Sequence, residues 1–204
     1  MNRLLLLSLA LAAPAFAASV PESPSEVRPL LIGAAAPDAS LRGLDGKAVT
    51  LKKRLAGKPT VLVFYRGGWC PYCNLHLKEL KDIQKDLEAL GYQTLAVTPD
   101  RPSELRKTLD KHALPYTLLS DSKMDAARAF GLAFRVDDKT IKKYEGYGID
   151  LEKSSGEKHH WLPVPGLFIV DKSGVITFVY ANPDYKIRLR GPVVLSAAKA
   201  ALKP

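Results

Sequence analysis

Thr60-Val61-Leu62-Val63-Phe64-Tyr65-Arg66-Gly67-Gly68-Trp69-Cys70-Pro71-Tyr72-Cys73 is the stretch that decides the fold. Thr60 to Tyr65 is a continuous β-branched and aromatic run, the pattern of a central strand buried on both faces. Gly67 and Gly68 then turn the chain. From Pro71 the period changes: Cys73, Leu77, Leu80, Ile83, Leu87 and Leu90 recur at three and four, which predicts one apolar helix face ending at Gly91. Pro71 suits the first helical position because it has no N–H to leave unpaired there. Cys70 therefore falls at, or just before, the first turn of the helix.

That position favours a thiolate. Unpaired backbone N–H groups and the positive end of the helix dipole lower a thiol pKa, and Arg66 and Lys78 are candidate sources of further positive charge. Cys73, one turn on, shares the buried face with Leu77 and Leu80. The expectation is an exposed, acidic nucleophile at Cys70 and a sheltered resolving thiol at Cys73. Trp69 and Tyr72 flank the nucleophile; they are candidate substrate-binding residues or simply packing for the loop. These two cysteines are the only ones in the chain, so there is no disulfide framework, and a structural staple across so short a loop would stabilise little.

A metal-binding alternative would join Cys70 and Cys73 to a histidine, His76 or the pair His159-His160, as soft copper or zinc sites do. Neither spacing demands it, and no cofactor is expected. Asn74 in place of histidine after Cys73 rules out the usual attachment of a c-type haem.

Outward from this unit the chain alternates. Leu41 to Leu51 places Asp45-Gly46 between two short apolar runs, a hairpin signal. Thr94 to Thr98 reads as a buried strand, Ser103 to His112 as a helix after Pro102, Tyr116 to Leu119 as a short strand, and Asp125 to Phe130 as a helix stopped at Gly131. Asp100 and Asp121 follow strands and read as turn or cap residues. Arg135 to Trp161 is polar and weakly periodic, an insertion with one short strand at most, its histidines on the surface. Leu167 to Val170 and Val175 to Tyr180 are strands joined by a tight turn at Asp171 to Gly174, and Val193 to Leu202 is a final helix. This predicts an α/β chain with a central mixed sheet flanked by helices.

Nearly the whole of residues 31–202 resembles the alkyl hydroperoxide reductase/thiol-specific antioxidant family, the peroxiredoxin-like branch of the thioredoxin superfamily. The matching stretches are Ala36 to Asp38, Leu44 to Lys47, Val61 to Tyr65, Gly68 to Cys73 and Pro165 to Gly174. The resemblance implies a thioredoxin-like fold with Cys70 as the attacking thiol and a cis Val164–Pro165 bond beside the cysteine pair. The chain also departs from the family. Val63 and Gly67 stand where peroxiredoxins carry a proline and a threonine or serine, and Pro165 where they carry an arginine. Those groups position a peroxide and stabilise its developing charge, so Arg66 or Arg135 would have to substitute. Cys-Pro-Tyr-Cys matches glutaredoxins instead. The favoured reading is thus a thiol-disulfide oxidoreductase with a thiol or disulfide protein partner. A hydroperoxide-reducing thiol peroxidase is the first alternative, and a copper-binding module the second.

At 204 residues the chain is the size of one domain, expected over 31–204. Met1 to Ala17 has a positive start, an apolar run and an Ala-Phe-Ala cleavage pattern, so it reads as a signal peptide for export across the inner membrane into the periplasm. Residues 18–30, rich in proline and serine, read as a flexible leader. No later stretch is long and apolar enough to cross a bilayer. The net charge of +9 comes from scattered Lys and Arg, a solvated surface without the basic, aromatic-interleaved tract that nucleic-acid binding would need.

Overall fold

The computed structural model describes residues 19–202, and the expected signal peptide lies outside them. The elements follow the sequence closely at first. Strands β1 (Ser40–Arg42) and β2 (Ala48–Thr50) form the expected hairpin, in which the Gly43 N–H donates to the Lys47 carbonyl. Helix α1 (Leu51–Leu55) is capped by the Thr50 hydroxyl. Then come β3 (Thr60–Phe64), α2 (Pro71–Asp82), α3 (Gln84–Ala89), β4 (Gln93–Thr98), α4 (Pro102–His112), β5 (Thr117–Ser120) and α5 (Asp125–Ala129). The chain closes with β6 (Ala133–Arg135), α6 (Asp138–Gly146), α7 (Leu151–Ser155), β7 (Trp161–Pro163), β8 (Gly166–Val170), β9 (Ile176–Ala181) and α8 (Gly191–Ala201).

Seven strands make one mixed sheet in the order β2-β1-β5-β4-β3-β8-β9. β3 is central, parallel to β4 and antiparallel to β8, with Val63 facing Ala96 on one side and Leu167 on the other. All five of its residues are buried. Because successive side chains alternate, Leu62 and Phe64 join the core on one face, where the Phe64, Phe130 and Phe168 rings meet at 4.9–6.0 Å. Val61, Val63 and Tyr65 join the other, with Cys70, Cys73, Leu77 and Leu80 of the loop and α2. The site is thus set into one of the two faces of a sandwiched sheet.

Four expectations are corrected. The long helix after Pro71 breaks at Ile83 (φ −100°, ψ 1°); α2 and α3 both send leucines into one core, so an apolar period runs through the break without revealing it. Residues 20–30 are packed rather than flexible. Val27 is buried, the Leu30 N–H donates to the Phe130 carbonyl, and the Arg135 N–H donates to the Pro21 carbonyl at 2.7 Å. Its one regular element is a single 3-10 turn, Pro24–Glu26, capped by the Ser23 hydroxyl. The insertion is ordered too: β6 and β7 pair as a two-stranded ribbon, and Asp137 and Asp150 cap α6 and α7 by accepting from the Thr140 and Lys153 N–H groups. Finally, no peptide bond among the described residues is cis, so Val164–Pro165 is trans. Extended pairing accounts for it: the Val164 N–H donates to the Leu132 carbonyl and the Pro165 carbonyl accepts from Asn182, which carries the chain straight from β7 into β8.

Candidate active site

β3 delivers the chain to the glycine turn, and the turn is held from below. The Gly68 N–H donates to Asp100 Oδ2 at 2.7 Å, and the Asn74 side chain donates to the Gly68 carbonyl at 2.8 Å. A Cβ on Gly68 would stand 1.9 Å from Thr108 Oγ1 on α4, so the close approach requires glycine there. Cys70 is the N-cap of α2 in extended conformation; its N–H donates to the Gly67 carbonyl and its carbonyl accepts from Asn74. Asp100 anchors the turn, and Asp121 accepts from the Ala126 and Ala127 N–H groups at the start of α5, the roles expected of both.

Neither sulfur is open to solvent. Cys70 is 1% exposed and Cys73 0%, which overturns the expectation of an exposed nucleophile. The cover comes from segments whose sequence is unremarkable. Arg66, 3% exposed, has its guanidinium 4.0 Å from the ring centre of Tyr185, 5.1 Å from Trp69 and 5.4 Å from Tyr144, and it donates to the Tyr144 hydroxyl. Tyr144 comes from α6 and Tyr185 from the segment after β9. Tyr72 meets Tyr185 edge-on at 5.8 Å, and Trp69 packs on Tyr144 at 5.7 Å. Arg188, further along Tyr185's segment, has Nη2 3.5 Å from Cys73 Sγ.

The two cysteines are unbridged thiols pushed in opposite directions. The Cys70 thiol is lowered to about 6, first by a hydrogen bond from the Cys73 thiol. Arg66, the Cys73 N–H and Arg188 add to this against the opposing cost of burial. The Cys73 thiol is pushed well up, first by burial and then because it is the donor in that hydrogen bond. The Cys70 thiol is thus the more acidic of the pair and the Cys73 thiol the less acidic. Arg188 stands where Lys78 was expected; Lys78 is exposed on α2. Burial raises the Asp100 carboxyl to about 7, against the pull of the Gly68 N–H.

The histidines are not gathered around the sulfurs. His76 is buried on α2, and its pKa falls to about 4 through burial and then Arg188. His159 donates through Nε2 to the Ser122 carbonyl at 2.7 Å and accepts the Trp161 N–H at Nδ1, while His160 Nε2 lies 3.0 Å from Glu152. Both are half-buried rather than surface residues. Among the described residues no three His, Cys, Asp or Glu side chains converge as a metal site. Arg135 is exposed and leans towards Glu22 at 4.0 Å, so Arg66 and Arg188 are the arginines of the site. Arg188 and the two tyrosines were missed from sequence; no period or motif marks them.

The sequence profile of the AhpC/TSA family matches residues 32–179. The chain belongs to that family. Among curated relatives it is 28% identical over 150 residues to a putative chloroplastic peroxiredoxin Q of Oryza sativa subsp. indica, a match covering 74% of this chain and 58% of that protein. It is 33% identical over 106 residues to a putative peroxiredoxin bcp of Haemophilus influenzae, covering 52% and 68%. The chain thus spans less than two thirds of the length of the plant relatives it matches. Among solved structures it resembles peroxidoxin BcpB from Mycobacterium tuberculosis (TM-score 0.64, 18% identity, 85% of this chain and 98% of that one). It also resembles reduced Prx3 from Vibrio vulnificus in complex with hydrogen peroxide (TM-score 0.68, 18% identity, 83% and 99%). The fold is that of the peroxiredoxins, thioredoxin-like as expected.

Proposed function

We propose that this AhpC/TSA protein is a thiol peroxidase that reduces hydroperoxides through Cys70 and Cys73 and is recharged by an external thiol. The observation that carries the reading is an acidified Cys70, 1% exposed, whose thiolate is favoured by the Cys73 thiol and by the charge of Arg66. Burial reverses the order of preference drawn from sequence. Exchange with a protein disulfide requires a bulky partner's S–S bond to line up with the Cys70 sulfur, whereas a hydroperoxide or a small disulfide reagent needs far less room. The relatives named peroxiredoxin support the same choice.

The Cys70 thiolate attacks the terminal peroxide oxygen. An S–O bond forms, the O–O bond breaks, and the leaving oxygen departs as water or an alcohol after taking a proton, leaving a sulfenic acid on Cys70. Arg66, whose charge favours the Cys70 thiolate, would offset the negative charge that builds on the leaving oxygen, in place of the groups absent at Gly67 and Pro165. Cys73 then attacks the Cys70 sulfur, closing the disulfide and releasing water. Two electrons from an external thiol pair, on a protein or a small molecule, restore the dithiol. Trp69 and Tyr72 form the rim such a reductant meets, with Tyr72 39% exposed. The signal peptide read at residues 1–17 would place this activity in the periplasm.

Stopped-flow mixing of the reduced protein with hydrogen peroxide, following Trp69 fluorescence in a Trp161→Phe background, tests the reading. The expected result is capture far faster than by a free thiolate, with Cys73→Ser accumulating a sulfenic acid that dimedone traps. Capture no faster than by a free thiolate would leave disulfide exchange as the function.

A further inference from the structure

The segment after β9 lies along α2 in matching order. Tyr185 touches Tyr72, Arg188 reaches Cys73, and Arg190 Nε pairs with Glu79 Oε1 at 3.0 Å. Its end is fixed by Gly191, where a Cβ would stand 3.2 Å from the Glu79 carbonyl. The result is a strap tied to the helix at three levels, with Arg188 at the middle one, half-buried and aimed at the resolving sulfur.

We propose that Arg188 is a catalytic residue of disulfide closure, holding Cys73 as the thiolate that attacks the oxidised Cys70. The proposal rests on the peroxidase reading only for the oxidant that puts oxygen on Cys70. In the closure step the Cys73 thiol gives its proton to solvent, the new S–S bond forms, the S–O bond of the sulfenic acid breaks, and hydroxide leaves to become water.

The groups facing Cys73 leave Arg188 without a competitor. At the N-cap of α2, Cys70 is no longer a thiolate once oxidised and accepts no charge-assisted hydrogen bond from Cys73. His76, on α2 itself, is neutral at physiological pH because burial and Arg188 depress it. From the exit of β3, Tyr65 is buried with its phenol held well above its ordinary value, so it brings no charge. Asp100, after β4, opposes a thiolate as it ionises near pH 7. Arg66 approaches Cys73 through its backbone, while its guanidinium sits in the Tyr185, Trp69 and Tyr144 cage. A guanidinium within 4 Å of a buried thiol lowers its pKa by roughly one to three units, enough to offset part of the burial cost.

Closure can be timed without peroxide. A small chromogenic disulfide, 2,2′-dithiodipyridine, gives one equivalent of thiopyridone when Cys70 attacks it and a second when Cys73 displaces the mixed disulfide. In Arg188→Met the second phase is expected to slow about tenfold at pH 7, its pH midpoint to rise by about one unit, and its high-pH plateau to stay. The first phase should change by no more than about threefold, since Arg188 is the least of the groups acting on Cys70. Arg188→Lys should recover most of the loss, which a purely structural strap residue would not predict. An unchanged midpoint in Arg188→Met, or an Arg188→Lys as slow as Arg188→Met, would overturn the proposal. If Arg188→Met does not fold, a wild-type midpoint in a folded Arg188→Lys supports it and one raised by a unit or more overturns it. An Arg188-dependent second phase in a protein inert to peroxide would keep the closure role and remove the peroxidase reading instead.

Discussion

The floor of the site and its cover are built by different kinds of sequence. The floor is β3, the glycine turn and the first turn of α2, where each residue type follows from a backbone demand: alternation across a buried strand, a close approach at Gly68, a ring at N1, a sulfur on the buried helix face. The cover is Tyr144, Tyr185 and Arg188, carried by α6 and by the strap after β9. No residue of α6 is buried, so no apolar period announces it. The difference teaches that the reacting groups are written in local pattern, while their seclusion, which here decides between oxidants, is written in tertiary contact.

The largest effect is expected from the floor. Asp100 is 2% exposed, and its Oδ1 has no protein partner. Its folded pKa of about 7 lies above that of an unfolded aspartate. The stability this contributes is therefore complete below about pH 4 and is lost as pH rises through about 7. Asp100→Asn keeps an acceptor for the Gly68 N–H and removes the titration. Relative to the wild type, its stability should improve between about pH 4 and pH 8 by on the order of a few kcal/mol, read from denaturant midpoints. Parallel pH profiles would mean that the turn is held by an ionised carboxylate and that the floor is more open to water than its burial implies.

A smaller effect tests the packed leader, another segment whose composition hid its role. Gly131 has φ +70°, and a Cβ there would stand 1.9 Å from the Arg28 carbonyl. Gly131→Ala should cost about 2–3 kcal/mol, the left-handed backbone adding to displacement of the leader from Phe130. A loss of only about 1 kcal/mol, the backbone part alone, would show that residues 20–30 leave the domain at little cost.

What was legible follows the same division. The hairpin at Asp45-Gly46, every strand of the central sheet and the cysteine pair at the head of a helix were readable, because turn chemistry and period are properties of neighbours. The break at Ile83 was not, since both sides of it present leucines to one core. Nor was the ordered insertion: Asp137 and Asp150 are serviceable helix starts, but the helices they cap lack the apolar stripe that draws attention to a cap. The trans Val164–Pro165 bond corrects an inference taken from family resemblance, not from these residues. Burial of Cys70 had no local signal, because two of the rings that cage the neighbouring Arg66 arrive from residues 144 and 185.

The smallest effect concerns how that cover is kept in place. Asp137 accepts the Thr140 N–H through Oδ1 at 2.9 Å and its hydroxyl through Oδ2 at 2.7 Å, which holds the carboxyl below its ordinary pKa. With no fully buried residue of its own, α6 is held by this cap, by Ile141 and Tyr144 packed on the Val136, Leu151 and Leu162 cluster, and by the Tyr144 contacts with Arg66 and Trp69. Asp137→Ala should therefore loosen α6 by about 1 kcal/mol, seen as about fivefold faster amide exchange across 140–146. Because the folded pKa is depressed, the wild-type advantage should be present above about pH 4 and vanish as pH falls through the folded value. Loosening α6 frees the Tyr144 side of the cage, so alkylation of Cys70 should quicken by a similar factor while its midpoint near pH 6 stays. Faster exchange with unchanged alkylation would assign the seclusion of Cys70 to the Tyr185 strap alone, and the cover would then have one working wall in place of two.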